Sequence, residues 1–448
     1  MKRKASALTL ISALLVVLVV GLQSVKASPK TIVVPDDYPS IASAIGNATD
    51  GDTIFIKNGT YEGPANQTLI LSKALSLIGE STKDTKMKLH PPLVPMRLFT
   101  LEYMGYLDAL KIEADAVKLA NLTVTSDGGG ISIIGNATEI IGNIIGMSIT
   151  ATGDRAKIME NKMVSVNLGG SHQTIAKNII EGIVTCGGSY NSIVGNNIVG
   201  SDTDGVVALK GSSNIVYGNI IDGNGWYGVT VKSNNNIVAE NNIADSVGIY
   251  MHQASNNIIC TNRISDYAGI QLMRGDNNVF YANHLVNNTI GIQIGFDQPD
   301  ISRRNSAPST TNNTVYHNNF VRNTQQAVDW NWIGTNHWDN GKEGNYWSDY
   351  SGADWNFDGV GDTPYTLSEA VSYYGWSTRS TDRYPLMAPF DISSVTVELP
   401  EWASNLPFET QELNPSEPFP VVPVAAVSVA VVAVVGAVLL VYFRRRKR

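Results

Sequence analysis

Residues 213–249 read SNIVYGNIIDGNGWYGVTVKSNNNIVAENNIADSVGI. One short phrase recurs in this stretch: an apolar residue, two variable ones, Asn, one variable residue, another apolar one. Aligned on the Asn, the phrase appears at Asn143, Asn161, Asn178, Asn196, Asn219, Asn241, Asn262, Asn283 and Asn318, in steps of 17 to 23 residues and a last step of 35. Three residues earlier stand Ile140, Ile158, Ile175, Ile193, Val216, Val238, Ile259, Phe280 and Val315. Two residues later stand Ile145, Met163, Ile180, Ile198, Ile221, Ile243, Ile264, Leu285 and Phe320. A second Asn column, Asn191, Asn214, Asn236, Asn257, Asn278 and Asn313, runs five residues ahead of the first.

A period near 20 residues means one coil of a solenoid per repeat, each coil burying its apolar residues against its neighbours. A leucine-rich repeat would need a Leu framework, which is missing. Val, Ile, Asn and Gly favour short strands joined by tight corners, because Asn and Gly tolerate left-handed backbone angles. Asn at the same corner of successive coils can also stack at about 4.8 Å, amide on amide. The reading is an all-β parallel β-helix.

The whole chain of 448 residues sets the boundaries around that solenoid. Residues 1–27 read as a secretory signal: Lys2, Arg3 and Lys4, an apolar run from Ala7 to Leu22, and a small-residue cleavage site at Val25-Lys26-Ala27. Residues 28–80 hold an N-terminal cap and the first coils, 81–135 irregular coils with an insertion, 136–322 the regular coils and 323–396 a Trp- and Asp-rich C-terminal cap. A Pro-rich spacer covers 397–423, with Pro400, Pro407, Pro415, Pro418, Pro420 and Pro423. The apolar run 424–443 is long enough for a single transmembrane helix, and the basic tail 444–448 places it cytoplasmic side last. The expected protein is a single-pass membrane protein whose ectodomain is extracellular or periplasmic. Its formal charge is −8, and about −17 once the signal and the tail are set aside, which excludes nucleic acid as a natural partner. Cys186 and Cys260 fall four coil steps apart, about 19 Å along the axis, too far for a disulfide. Both are expected to be free, as small core fillers.

Near the N-terminus, Ile41, Ala44, Ile45 and Ala48 lie on one helical face after Ser40, which predicts a capping helix over the open end of the first coil. Thr31–Val34, Thr53–Ile56 and Leu75–Gly79 predict the first strands. The phrase Ile32-Val33-Val34-Pro35-Asp36, then Gly51-Asp52-Thr53-Ile54 and Asn58-Gly59-Thr60-Tyr61, resembles the opening of right-handed parallel β-helix proteins of the pectin-lyase-like superfold. The Asn-centred coils, with Gly344-Asn345-Tyr346-Trp347-Ser348-Asp349-Tyr350 and Asp382-Arg383-Tyr384-Pro385-Leu386-Met387, resemble the NosD-type family of periplasmic copper-site accessory proteins. That resemblance implies a right-handed solenoid, and it is the sole ground for expecting copper. From Trp330 onward Trp330, Trp332, Trp338, Trp347, Trp355 and Trp376 gather, six of the eight tryptophans, and predict a cap with an aromatic core.

Strand alternation names the outward residues of one sheet. On Gly228–Lys232 the valines point inward, so Thr230 and Lys232 point out. Tyr250 and His252, then Gln271 and Met273, then Gln293 follow by the same count. Tyr, Gln, His and Lys in one strip suit sugar hydroxyls, through stacking and paired hydrogen bonds. Glycoside hydrolysis would need two facing carboxylates, which the strip lacks. A lyase would need a base and a cation beside a uronate, for which Lys232, His252 and Arg274 are the available groups. Copper would need soft or imidazole ligands, and of the six dispersed histidines only His252 stands near methionines, Met251 and Met273. Asp354-Trp355-Asn356-Phe357-Asp358-Gly359-Val360-Gly361-Asp362 places oxygen ligands at positions 1, 3, 5 and 9 and Gly at 6, as a calcium loop does. Tyr365 stands where the bidentate Glu would be. The sequence therefore predicts a non-catalytic surface module for an extracellular polysaccharide or a surface protein, or, as the resemblance implies, an extracytoplasmic accessory factor of NosD type, with calcium at Asp354, Asn356, Asp358 and Asp362. A polysaccharide lyase or glycoside hydrolase is the alternative.

Overall fold

The computed structural model describes residues 28–98, 101–200, 205–223, 225–244, 247–265, 267–295, 310–330, 335–371 and 377–403. The expected signal, the transmembrane run, the basic tail, most of the Pro-rich spacer, Trp332 and Trp376 lie outside them. Among the described residues no helix is long and apolar enough to cross a membrane.

Each coil gives one short strand to each of three parallel sheets. The coil around Asn219, for example, gives Ile215–Tyr217 to sheet A, Ile220–Gly223 to sheet B and Tyr227–Val231 to sheet C. Sheets A and B have 13 strands each and sheet C has 12, and neighbours in each come from successive coils, which makes a parallel β-solenoid of about 11 turns. The apolar columns fill its interior: each of the eighteen residues aligned around the first Asn column is at most 1% exposed.

The Asn columns are hydrogen-bonded ladders. Asn219 donates its backbone N–H and its side-chain Nδ2 to Asn241 Oδ1, both at 2.9 Å, and Asn241 repeats the pair onto Asn262 Oδ1 at 3.0 and 2.9 Å. The ladder runs one coil beyond the expected end of the solenoid, since Asn318 donates to Asn345 Oδ1 at 2.9 Å and Phe320 pairs with Trp347. In the second column each backbone N–H from Asn191 to Asn313 donates to the next Asn Oδ1, the side-chain amides join from Asn236 onward, and Asn336 continues the column. A third ladder, Asn288 onto Asn323, escaped the sequence reading because it has only two members.

The reason given for Asn needs correcting. The left-handed residue is the one before each ladder Asn: Gly142, Glu160, Lys177, Gly195, Gly218, Glu240, Thr261, Ala282 and His317, with φ of 54–66°. Six of these nine are not Gly, so the corner accepts about 1 kcal/mol of backbone strain at each. The buried amide ladder beside it offsets that strain, each bond adding about 0.5–1.5 kcal/mol. Asn is selected for its side chain, not for its backbone.

The N-terminal end follows expectation. Helix α1, Ile41–Asn47, is capped by Ser40, whose hydroxyl accepts from Ser43 N–H, and it buries Ile41, Ala44 and Ile45. The irregular region contains an antiparallel hairpin, Leu93–Leu98 with Leu101–Tyr106, attached to otherwise regular coils. In the C-terminal cap Trp347 stacks on Phe320 and Tyr365 at 4.2 Å each, and Trp338 and Trp347 are buried, whereas Trp355 is 79% exposed and takes no part in that core.

The spacer expected from residue 397 does not leave the solenoid there. Phe390 stacks on His317 at 4.1 Å, and the chain then returns along sheet A, where Val397, Leu399 and Ala403 pack with Ile215, Tyr217, Ala239 and Cys260. Trp402 reaches Tyr190, edge to face at 5.9 Å. This strap covers outward apolar residues of sheet A. Both cysteines are buried and free. Cys186 fills the interior as expected, but Cys260 faces outward and is buried beneath the strap instead. Burial pushes each thiol up to about 11.

Candidate functional site

Sheet C brings the predicted strip together as a register ladder: Thr230 pairs with Tyr250, Tyr250 with Gln271, and Gln271 with Gln293. Successive coils are about 4.8 Å apart, so the row spans about 14 Å, the length of two to three sugar rings. Tyr250, Gln271 and Gln293 are partly exposed. Thr230 is not: it is 1% exposed, its hydroxyl has no partner, and a Cβ on Gly205 would lie 2.5 Å from that oxygen. Alternation correctly gives its side, but the approach of Gly205 covers it, so Thr230 leaves the set of binding residues.

The strip has an aromatic part that sequence spacing underestimates. Tyr227 stacks on Tyr250 with ring centroids 4.3 Å apart, and Tyr250 lies parallel to His252 at 6.4 Å. Tyr227 opens its strand in register with Val247, so alternation counted from Thr230 does not bring it to Tyr250. Burial and the neighbouring Tyr227 raise the Tyr250 phenol above its usual range, which keeps it a hydrogen-bond donor at neutral pH.

Beside this row runs a cationic one. A bulge after Met251 skips Met273, so that His252 pairs with Arg274, and Lys232 follows Val231 in the coil before. Burial, then the charges of Arg274 and Lys232, push His252 below its usual value of 6.5. Among the described residues, neither row contains Asp or Glu between Thr230 and Gln293, so these rows do not themselves supply the two facing carboxylates a glycosidase uses.

The metal expectations fare differently. Met251 is fully buried in the interior while His252 stands on the opposite, outer side, and the bulge sets Arg274 rather than the partly exposed Met273 against His252. His90 is engaged by Glu62 and Asp127, and His317 by Glu343. Among the described residues the donor set around His252 does not fit copper. In the acidic loop, Asp354 accepts from the N–H of Gly359 at 2.9 Å and of Asp358 at 3.2 Å, Asn356 donates to Asp358 at 2.9 Å, and Asp362 accepts from Trp355 N–H. Positions 1, 3 and 5 are thus drawn together by the loop's own amides. Among the described residues, however, no three His, Cys, Asp or Glu side chains converge closely enough to hold a metal ion.

A second concave feature was invisible in the sequence. Between the strap and the corner leading from sheet C to sheet A lies a cleft of about 430 Å³, walled by Trp402 and Tyr190, floored by Ile215 and Ile237, and edged by Asn235 and Glu398. It exists only because residues 398–402 fold back onto coils formed some two hundred residues earlier.

Comparison with known proteins gives the fold a family context. Residues 174–352 match the family described as periplasmic copper-binding protein (NosD). No curated protein matches the chain. Among solved structures, a PL6 family alginate lyase is similar at 15% identity and a TM-score of 0.50, over 84% of this chain and 59% of that one. A mannuronan C-5 epimerase A-module from Azotobacter vinelandii is 14% identical with a TM-score of 0.46, covering 66% of this chain and 92% of the other. The catalytic domain of a GH87 alpha-1,3-glucanase is 15% identical with a TM-score of 0.46, over 70% and 69% of the two chains. At these identities the likeness concerns the fold alone.

Proposed function

We propose that this chain, whose coils between 174 and 352 are of the NosD type, is an extracytoplasmic β-helix module that binds an acidic polysaccharide along sheet C without cleaving it. The observation that carries the reading is the pair of adjacent rows, Tyr227–Tyr250–Gln271–Gln293 and Lys232–His252–Arg274. Tyrosine faces and amides suit pyranose rings, and two cations, Lys232 and Arg274, with a histidine between them on an otherwise acidic chain suit their carboxylates. The test is binding of alginate and polygalacturonate against a neutral glucan. Tyr250→Ala is expected to weaken binding roughly three- to tenfold, the worth of one stacked ring. Arg274→Ala should both weaken binding and flatten its salt dependence. His252 carries its charge only below its lowered pKa, so affinity is expected to rise as the pH falls through that value and to lose this dependence in His252→Gln. Equal binding of neutral and acidic glycans would refute the reading. The cationic row also supports a lyase as the second reading, and release of unsaturated uronates from either polymer would establish it in place of simple binding.

Calcium is a separate proposal for Asp354, Asn356, Asp358 and Asp362. The loop's amides already gather positions 1, 3 and 5, and an ion would draw Asp362 off the Trp355 amide to complete the set. At a hundredfold excess over Kd it would add about 2.7 kcal/mol to unfolding. A melt in millimolar calcium is expected to lie above one in chelator, with the difference gone in Asp358→Ala. Identical midpoints for the wild type would reduce the loop to a turn.

A further inference from the structure

We propose that Asn242, Arg263 and His284 form a second site, on the outer face of sheet B, that takes a single oxyanion, the carboxylate of an acidic sugar or a sulfate. The three occupy equivalent positions in successive coils, Asn242 paired with Arg263 and Arg263 with His284, so they span about 10 Å.

Arg263 is the anomaly that requires an explanation. It is partly buried, and among the described residues it has neither a hydrogen-bond acceptor nor a carboxylate beside it. Cations removed from water are ordinarily paired. Elsewhere in the chain Arg383 meets Asp339 at 2.6 Å, Arg379 meets Glu369 at 2.9 Å and Lys162 meets Glu181 at 2.7 Å. A guanidinium left half-desolvated with its fork unused is the shape of a receptor for a planar oxyanion.

Its neighbours are arranged to help. Asn242 Oδ1 is buried and accepts nothing, which leaves the amide nitrogen as the accessible end of that side chain, a donor. His284 is neutral at physiological pH, since burial and Arg263 hold it down at about 4, and it offers one ring N–H. The row is also closed at both ends. Ile220 precedes Asn242, and beyond His284 stands Asn319, whose amide is locked to the backbone of Phe390 at 2.7 and 2.8 Å. Three coils of donors between an isoleucine and a blocked amide fit one charged group rather than a long polymer. This face is separate from the tyrosine and cation rows of sheet C, and the proposal does not depend on them.

The experiment is thermal unfolding and calorimetric titration of the full-length protein with sodium sulfate and sodium glucuronate, each against sodium chloride at matched ionic strength. Wild type is expected to be stabilised by sulfate or glucuronate beyond chloride, and the more effective probe identifies the source of the anion. Arg263→Met keeps the stem and removes the charge; it is expected to fold at least as stably in chloride and to lose the anion-specific shift. Arg263→Lys should weaken binding about tenfold, because the bidentate fork is lost. Tyr250→Ala should respond as wild type does. An Arg263→Met protein that still responds, or a wild type that treats all three salts alike, would overturn the site and leave Arg263 as a side chain that merely lies along the sheet.

Discussion

Asn241→Ala is expected to destabilise the solenoid by about 2–4 kcal/mol, far beyond an ordinary surface substitution. Asn241 Oδ1 accepts both the backbone and the side-chain N–H of Asn219, and its Nδ2 donates to Val216 O, Ala239 O and Asn262 Oδ1, all at 2.9 Å. Alanine leaves the buried backbone N–H of Asn219 without an acceptor, at about 1–3 kcal/mol, takes one of three acceptors from its Nδ2, which keeps Ile193 O and Tyr217 O, and strips Val216 O and Ala239 O of a side-chain donor. Because a solenoid is held by nearest-neighbour contacts, the damage should be concentrated near the coils around Asn219 and Asn262, where amide hydrogen exchange would report it. Asn241→Asp should be as damaging, since a carboxylate cannot donate and would be buried in charged form. Asn235→Ala is the control. Asn235 stands exposed at a left-handed corner with φ of 60°, so its loss should cost only about 1 kcal/mol. Equal effects at the two positions would mean that the ladder contributes nothing beyond corner propensity.

Asp382→Ala is the second large effect expected, and it tests how the last coil is closed. The buried carboxylate of Asp382 accepts from Asn345 N–H at 2.7 Å, Trp347 Nε1–H at 2.8 Å and Tyr384 N–H at 3.0 Å. It therefore joins the end of the Asn ladder to the aromatic core of the cap. Removing it orphans three donors, a cost of about 3–5 kcal/mol. Trp347 fluorescence should then shift to the red, with the cap melting before the coils. Burial pushes this acid up to about 6 against 3.8, even though the three donors oppose the shift. The native state thus holds the proton more tightly than the unfolded chain does. The proton-linked part of the Asp382 contribution is fully present below pH 3.8 and is lost as the pH rises through 6, while the three accepted hydrogen bonds remain. Asp382→Asn should remove that slope while keeping one acceptor. A cap whose melting is unchanged in Asp382→Ala would show that packing of Trp338 and Trp347 alone holds it.

The sequence by itself determined the solenoid. Apolar residues three before and two after each Asn are a local pattern, repeated often enough that stacking is the only way to bury them all, and Ser40 with the Ile41, Ala44 and Ile45 face was as local a signal for helix α1. Strand alternation also placed Tyr250, Gln271 and Gln293 in one outward row, since a register shared by successive coils carries a period of two from each strand to the next. What only the tertiary structure decided is what lies over those faces. Thr230 points outward as alternation requires, yet Gly205 closes over it. Cys260, Ile215 and Tyr217 stand on an outer face that the strap turns into a small core. The bulge after Met251 sets Arg274 rather than Met273 against His252, and Arg263 becomes conspicuous only when the described residues around it are seen to contain no carboxylate. Each of these depends on segments far apart in the chain meeting in space, and a repeat of about 20 residues holds no record of which distant segment returns to cover it.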